Sequence, residues 1–381
     1  MPDKPNLKIA FCLFAYRPFG GLQRDFYRIA QVCAGRGHAI DVYTMEWQGE
    51  IPGNLDVHVL PVRSMRNHER SREFSQRVAS ELQGRSYDIV VGFNRISGID
   101  VYYAADPCYI AKISELHGPL YRLTGRYRYF SAVENDLFGP GSEARILLLS
   151  EQEISKYVHY YNTPLQRFTV LPPGISPDRC APPDAAQIRA DFRKQHAVGD
   201  HDRLVLMVGS GFRTKGLDRA IQSIAALPGE LRQRCTLMVV GEDNERPFRK
   251  MAKQLGVAGR VRFMQGQEDV RSFMLGADLL IHPAYSENTG TVLLEAIIAG
   301  LPVLATEVCG YAFHIEKADA GRILASPFEQ GSLNRELVDM LDSPERKQWS
   351  ENGIRYGLEE DLYSMPEVVA DYLEHYADER Q

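Results

Sequence analysis

Two consecutive α/β domains, each built on a parallel sheet, are the fold class this sequence predicts. Its 381 residues exceed what one ordinary hydrophobic core fills. Short β-rich runs alternate with helix-length amphipathic segments, and the alternation starts afresh past a proline-rich break near the middle.

In the first half, Ile9–Ala15, Ala39–Thr44, Val57–Val62, Ile89–Phe93, Val101–Ala105 and Ile146–Ser150 read as buried strands. Helical patterns separate them, so they pair in parallel. Pro172-Pro173-Gly174, then Pro177, Pro182 and Pro183, break any helix and place the hinge, giving domains at 1–170 and 171–360. The pattern restarts with Leu204–Gly209, Thr236–Gly241, Val261–Met264, Leu279–His282 and Val303–Thr306, a second Rossmann-like domain. Apolar residues at helical spacing over Pro366–Tyr376 make the tail, about 361–381, a surface helix able to pack back across either domain.

Composition narrows the function. Apolar residues make up 44% and charged residues 25%, the profile of a globular enzyme. A net charge of -6 excludes a dedicated nucleic-acid binder, whose phosphate contacts need a basic excess. The six cysteines form no C-x-x-C pair, so neither a zinc cage nor a disulfide framework is expected, and a reducing, cytoplasmic compartment fits. Lys4 and Lys8 ahead of Ile9–Tyr16 mimic a secretion signal, but the apolar run is short and meets Arg17-Pro18 with no cleavage site. Charge interrupts every apolar stretch well before the ~18 residues that span a bilayer, so membrane contact is expected to be peripheral.

Three loops carry the chemistry. Gly20-Gly21 follows the first strand and opens a helix near Leu22, where backbone N–H groups can approach an anion; a tight turn without ligand accounts for the pair equally well. Gly209-Ser210-Gly211-Phe212-Arg213-Thr214-Lys215-Gly216 sets Arg213 and Lys215 between a strand and a helix, a diphosphate cradle that a solvated basic turn would also spell. It completes neither a dinucleotide fingerprint nor a P-loop, because Thr214 replaces the third glycine and Lys215 precedes Gly216. Third, Glu287 and Glu295 stand with seven residues between them, after His282-Pro283 and before Gly300-Leu301-Pro302. Glu287 precedes a helix and Glu295 sits on its first turns, while Gly290, Thr291 and Val292 aim N–H groups outward, aided by the helix dipole.

This E-x7-E pattern, with the glycine pair and the Arg/Lys loop, resembles the retaining glycosyltransferases of GT-B fold and family-four type, in which two Rossmann-like domains face a central cleft. Ala10-Phe11-Cys12-Leu13, Pro18-Phe19-Gly20-Gly21-Leu22-Gln23-Arg24-Asp25, Ala104-Ala105-Asp106 with Cys108-Tyr109, and Cys309-Gly310-Tyr311-Ala312 resemble the lipopolysaccharide core glucosyltransferase I subfamily. The resemblance implies transfer of a hexose, glucose favoured, from a UDP-sugar to the inner-core heptose of a lipid-A-linked acceptor at the inner face of the cytoplasmic membrane. It implies an acceptor-binding first domain and a donor-binding second one. It places Asp25 and Asp106 at the cleft, Arg213 and Lys215 on the diphosphate, Gly20 and Gly21 near the donor, Glu287 on the sugar and Glu295 on the ribose. Two differences stand out: Thr214 separates Arg213 from Lys215 where the subfamily joins Arg to Lys, and Asn288-Thr289 replace small apolar residues where the donor's 2-substituent is met. UDP-galactose and a UDP-N-acetylhexosamine are therefore alternative donors.

No metal or other cofactor is expected. Asp200-His201-Asp202 spells the Asp-x-Asp metal pair of many sugar transferases, but it precedes the second domain's first strand, away from the ligand loops. Arg213, Lys215 and helix N-termini can carry the leaving-group charge. Asp106 is expected to orient the acceptor hydroxyl or stabilise the cationic centre, with a helix cap as its other reading.

From Leu120 to Phe130 the apolar residues Leu120, Leu123, Tyr127 and Phe130 recur at helical spacing, with Tyr121, Arg122, Arg126, Arg128 and Tyr129 between them. An interfacial helix on an anionic membrane is expected here, or else an ordinary helix packed on its own domain. Arg63, Arg66, Arg70, Arg72 and Arg77 against Glu69 and Glu73 form a second basic run, able to meet acceptor phosphates or only solvent. A nucleotide-sugar epimerase or hydrolase on the same plan is the rival enzyme, and a non-catalytic lipid-surface binding protein the rival outside enzymes.

Overall fold

The computed structural model describes residues 6–18, 20–267 and 269–380, without the side chains of residues 115 and 116. Phe19 of the motif around Gly20 lies outside the described residues. The chain divides into two units, one of residues Met1–Gly174 with Tyr363–Gln381 (unit 1) and one of Ile175–Leu362 (unit 2).

Unit 1 carries seven strands: β1 (Lys8–Leu13), β2 (Ala39–Thr44), β3 (Asp56–Val59), β4 (Ile89–Gly92), β5 (Val101–Ala104), β6 (Arg145–Leu148) and β7 (Phe168–Val170). They pair in parallel in the order β3-β2-β1-β4-β5-β6-β7. Unit 2 carries β8 (Arg203–Val208), β9 (Cys235–Val240), β10 (Val261–Met264), β11 (Leu279–His282), β12 (Val303–Thr306) and β13 (Gly321–Leu324), also parallel, in the order β10-β9-β8-β11-β12-β13. Each order reverses direction beside the first strand of its unit, at β1/β4 and at β8/β11. In open α/β sheets, ligands bind outside the carboxyl ends of the strands at such a switch point.

Strands β7 and β13 are the two that sequence patterning did not foresee. β7 has three residues, none of them buried, and only the last residue of β13 is buried, so neither writes an apolar run.

Alternation along β1 feeds two cores. Ile9, Phe11 and Leu13 pack with Phe26 and Ile29 of the Gly21–Gly35 helix. Ala10 and Cys12 face Tyr102, Phe74 and Val133 on the other side of the sheet. The C-terminal helix Met365–Glu379 belongs to the first of these cores through Met365, Val369 and Leu373. Burying such side chains is worth about 1.5–3 kcal/mol each, which outweighs any intrinsic helix preference. Polar ties fix the helix: Arg36 Nη1 reaches Asp371 at 2.6 Å and Glu374 at 3.1 Å, and His38 Nε2 lies 3.1 Å from Glu374. Arg28 donates to the carbonyls of Gly174 (2.5 Å) and Tyr363 (3.2 Å), where the chain leaves unit 1 and where it returns. Within unit 2 the corresponding ends meet, Ile175 N–H donating to Leu362 O at 2.8 Å.

No helix among the described residues is long and apolar enough to cross a membrane. Burial pushes the thiols of Cys12, Cys33, Cys108, Cys235 and Cys309 up to about 12, so they stay protonated and inert.

Candidate active site

In unit 2 the loops after β8 and β11 are packed against one another. Gly216 has φ +79°, and a Cβ there would lie 2.0 Å from the carbonyl oxygen of Pro283, so both conformation and space demand glycine. Tyr285 N–H donates to Thr214 O at 2.8 Å, closing the contact. This brings Lys215 Nζ onto Glu287 Oε2. The same oxygen lies 3.2 Å from Nε2 of His282, whose side chain is wholly buried. Burial holds His282 below its ordinary value, so the ring is neutral and Nε2–H is the proton facing the carboxylate. For Glu287, burial pushes the carboxyl up, but the His282 hydrogen bond and the Lys215 charge prevail and lower it to about 2. The Arg213 side chain is exposed on the same loop, with no ion pair or hydrogen bond among the described residues.

Gly290 takes the left-handed conformation (φ 81°, ψ 49°) as N-cap of the Thr291–Ile298 helix, so the chain turns and presents the first-turn N–H groups of Thr291 and Val292. Asn288 and Thr289 are buried, and Thr289 O accepts from Tyr311 N–H at 2.7 Å. With the Glu287–Cys309 bridge, this braces the Cys309–Ala312 stretch on the carboxylate loop. Glu295 is buried in the helix's second turn, its Oε1 3.8 Å from Nε of Arg179. Arg179 and His282 are partners that the sequence did not single out. Asp200-His201-Asp202 sits at the amino end of β8; the strand's six residues, about 20 Å of chain, separate it from the 209–216 loop. Asp202 is engaged in its own turn, accepting from Gly199 N–H at 2.8 Å.

In unit 1, Gly20 is the N-cap of the Gly21–Gly35 helix, and a Cβ on Gly21 would meet open space. Asp25, one turn further, accepts from the Tyr103 hydroxyl at 2.9 Å. Asp106 follows β5 with its carboxylate 57% exposed and 3.5 Å from Arg95 Nη1. It is not a side-chain cap of the Tyr109–Leu116 helix. That task falls to Glu134, fully buried, which accepts from the N–H groups of Tyr109 (2.6 Å) and Ile110 (3.2 Å), from Tyr161 (2.5 Å) and from Arg95 Nε (3.0 Å). Arg95 and Glu134 were not foreseen.

Residues 188–356 match the family described as glycosyl transferases group 1, and residues 19–179 match glycosyltransferase family 4. The chain is 46% identical over 366 residues to the lipopolysaccharide glucosyltransferase WaaG of Escherichia coli (strain K12), covering 96% of this chain and 98% of that one. The chain belongs to the GT-B glycosyltransferases. The crystal structure of WaaG, a glycosyltransferase involved in lipopolysaccharide biosynthesis, superposes with a TM-score of 0.92, covering 96% of this chain and 99% of that one. Anabaena Alr3699/HepE, in complex with UDP and glucose, shares the fold at a TM-score of 0.75 and 17% identity, covering 97% and 100% of the two chains.

In this glycosyltransferase the segment 120–130 is not one helix. Pro119–Leu123 forms a 3-10 turn, Thr124 is extended, and its hydroxyl caps the Gly125–Phe138 helix by accepting from Tyr127 N–H at 3.2 Å. A threonine ahead of a glycine stops the periodicity that the apolar spacing mimics. Tyr129 is buried, 5.2 Å beneath the Arg72 guanidinium, and so is withdrawn from any membrane face. Tyr121 stacks on His117 at 4.2 Å, and Phe130 packs 5.3 Å from Tyr109. Leu120 (78%) and Leu123 (66%) stay exposed beside the exposed Arg122, Arg126 and Arg128. Part of the second basic run is self-neutralised: Glu73 accepts from the N–H groups of Arg63 and Ser64 and from Arg77, which hold its carboxyl down to about 2, and Arg66 pairs with Glu69 at 3.6 Å.

Proposed function

We propose that this enzyme moves a hexose, glucose first among the candidates, from a UDP-sugar to the inner-core heptose of lipopolysaccharide, with retention of configuration and without a metal ion. The observation that carries this reading is the meeting of Lys215 with Glu287 where the loops after β8 and β11 interlock, in a chain so similar to a lipopolysaccharide glucosyltransferase. Departure of UDP builds negative charge on the β-phosphate and positive charge on the anomeric carbon. Lys215, positioned by Glu287, and Arg213 face the phosphates, joined by N–H groups at Gly290, Thr291 and Val292. Glu287 takes the donor sugar's hydroxyls, Glu295 the ribose, and Asn288 with Thr289 the 2-substituent. The bond from C1 to the phosphate oxygen breaks, the acceptor oxygen bonds C1 on the same face, and its proton passes to the departing phosphate. Asp106 orients that hydroxyl, and Asp25 supports the same end of the sheet through Tyr103. The cations and amides supply the charge stabilisation that a metal gives in other transferases.

Lipid-A-linked acceptors lie in a membrane, and unit 1 offers a surface suited to it. The exposed Leu120 and Leu123 stand with the exposed Arg122 and Arg128 on one short segment, a combination that enters the headgroup layer and pairs with anionic lipid. Tyr121, Tyr127 and Phe130 back this surface, on the cytoplasmic face of the membrane. The test is UDP release from UDP-glucose, UDP-galactose and UDP-N-acetylglucosamine with purified core acceptor. Acceptor-dependent release fastest with UDP-glucose is expected; equal release without acceptor would mean a hydrolase.

A further inference from the structure

Beside Asp106, at the carboxyl ends of β1, β4 and β5, unit 1 has an open cavity of about 260 Å3. Its walls bring together Asn94, Arg95, Asp106, Tyr109, Lys112 and Arg126. Their charges are unevenly answered. Arg95 is held by the buried Glu134 at 3.0 Å, and Asp106 leans on Arg95. Lys112, half-buried, and Arg126, at the rim, have no acidic partner among the described residues. Among the described residues the cavity therefore offers two cations without an acidic partner.

A second observation is independent of charge. The hydroxyl of Tyr109 is buried at this wall with Tyr121 and Arg126 beside it, yet it makes no hydrogen bond of normal geometry among the described residues. Burying a hydroxyl without a partner is costly, so such a group at a cavity wall marks where a ligand's polar atom goes. Asn94 is fixed in register because its Oδ1 accepts from Phe14 N–H at 2.7 Å, which turns its amide N–H groups to other acceptors. Phe14 and Phe130 complete the lining with the apolar surface on which a sugar ring rests. The volume falls just below the roughly 300–1,000 Å3 of drug-sized ligand sites, room for a single ring.

We propose that this cavity is a subsite for one negatively charged sugar of the acceptor, bearing a phosphate or a carboxylate, with Lys112 and Arg126 on the anion and Tyr109 and Asn94 on ring hydroxyls. The proposal rests on the reading of unit 1 as the acceptor domain. The anion is then a handle: once it is seated, the distance from Lys112 to Asp106 decides which neighbouring hydroxyl is presented for transfer. Lys112 is a specificity residue, with no part in donor chemistry.

Saturation-transfer NMR on the full chain, with UDP present, tests it directly using glucose 6-phosphate, glucuronate and glucose as probes. Signal is expected from one or both anionic probes and not from glucose; which anion responds distinguishes a phosphate handle from a carboxylate handle. Lys112→Ala should abolish that signal, Lys112→Arg should restore it, and Lys215→Ala, which alters the diphosphate loop, should leave it. In turnover, Lys112→Ala should raise the acceptor KM roughly tenfold or more, the scale of one charge-assisted contact, with kcat and the donor KM within twofold. An acceptor stripped of phosphate or with its carboxyls reduced should no longer tell the two proteins apart. Glucose binding as well as the anions, or anion signal surviving in Lys112→Ala, overturns the subsite. Anion binding intact with no transfer to any core acceptor would instead fault the assignment of lipopolysaccharide as substrate, so the two failures are separable.

Discussion

Both sheets reverse strand order beside the first strand of their unit, and both follow that strand with a loop carrying glycine, yet the charges at the two places are arranged differently. In unit 2 the charges answer each other locally: Lys215, Glu287 and His282 meet across two interlocked loops. In unit 1 the buried Glu134 answers Arg95 at the cavity wall, while Lys112 and Arg126 of the same lining have no acidic partner among the described residues. The first arrangement suits a nucleotide diphosphate, the same in every reaction cycle, with rigidly preset groups. The second leaves charge available to an acceptor whose own anion completes it.

The largest effect should come from breaking the pair at that wall. Glu134→Ala leaves Arg95 with only the exposed Asp106 as counter-charge and strips two backbone amides of their acceptor, a loss of about 3–5 kcal/mol. Calorimetric unfolding should fall by roughly 10 °C, at about 2–4 °C per kcal/mol for a unit of this size. A melting temperature within a degree or two of the parent would make the pair dispensable.

Lys215→Ala is expected to lower kcat by about two orders of magnitude while the protein remains folded, because a preset group facing developing charge is lost. Steady-state kinetics beside a thermal melt reads both; turnover within a few-fold of the parent would remove this loop from the chemistry.

Glu287 sharpens the comparison through pH. Its carboxyl is depressed to about 2 in the folded chain, so the stability it contributes is present above the unfolded carboxylate range near 4.3 and is lost as pH falls toward 2. The window carries on the order of 3 kcal/mol. Glu287→Gln should flatten stability against pH between about 4.5 and 2. It should deepen the loss that begins near 6.5 from protonating the buried His282, because the Glu287 carboxylate is the partner that favours the charged ring. A parent and variant with parallel acid profiles would contradict the Lys215–Glu287–His282 account.

Smaller effects belong to the surface. Replacing Arg122 and Arg128 by Ser, and sparing Arg126 because it lines the cavity, should weaken binding to anionic vesicles by about thirtyfold, near 1 kcal/mol for each charge, and high salt should mimic it. Cosedimentation unchanged at low salt would return the 119–138 segment to a packing role. Smallest of all, UDP affinity by calorimetry should not change in chelator; its collapse on metal removal would reverse the metal-independent reading.

The legible parts of this molecule are those written contiguously. All six strand runs assigned to unit 1 and all five assigned to unit 2 are strands in the structure, with ends shifted by at most a few residues. Glu287 and Glu295 lie eight positions apart on one loop and helix, so the donor-side pattern could be read directly. Arg95 and Glu134 are 39 residues apart and Arg179 and Glu295 further still, meeting only because the sheets set their loops side by side. No local period records such pairs. The segment 120–130 differs for the opposite reason: its apolar spacing alone spells one helix, while Thr124 carries the signal of a fresh start.

Because Arg28 grips the chain both where it leaves unit 1 and where it comes back, unit 2 is an inserted cassette whose ends lie together. On the ribosome the order of completion is therefore inverted. The whole of unit 2 emerges before Met365, Val369 and Leu373, so the first unit to be translated is the last to close its core. Until that final helix is released, the Gly21–Gly35 helix is covered by the sheet alone and the part of the core that Met365, Val369 and Leu373 close lies open, which makes a stop codon near residue 362 far more damaging than its position suggests.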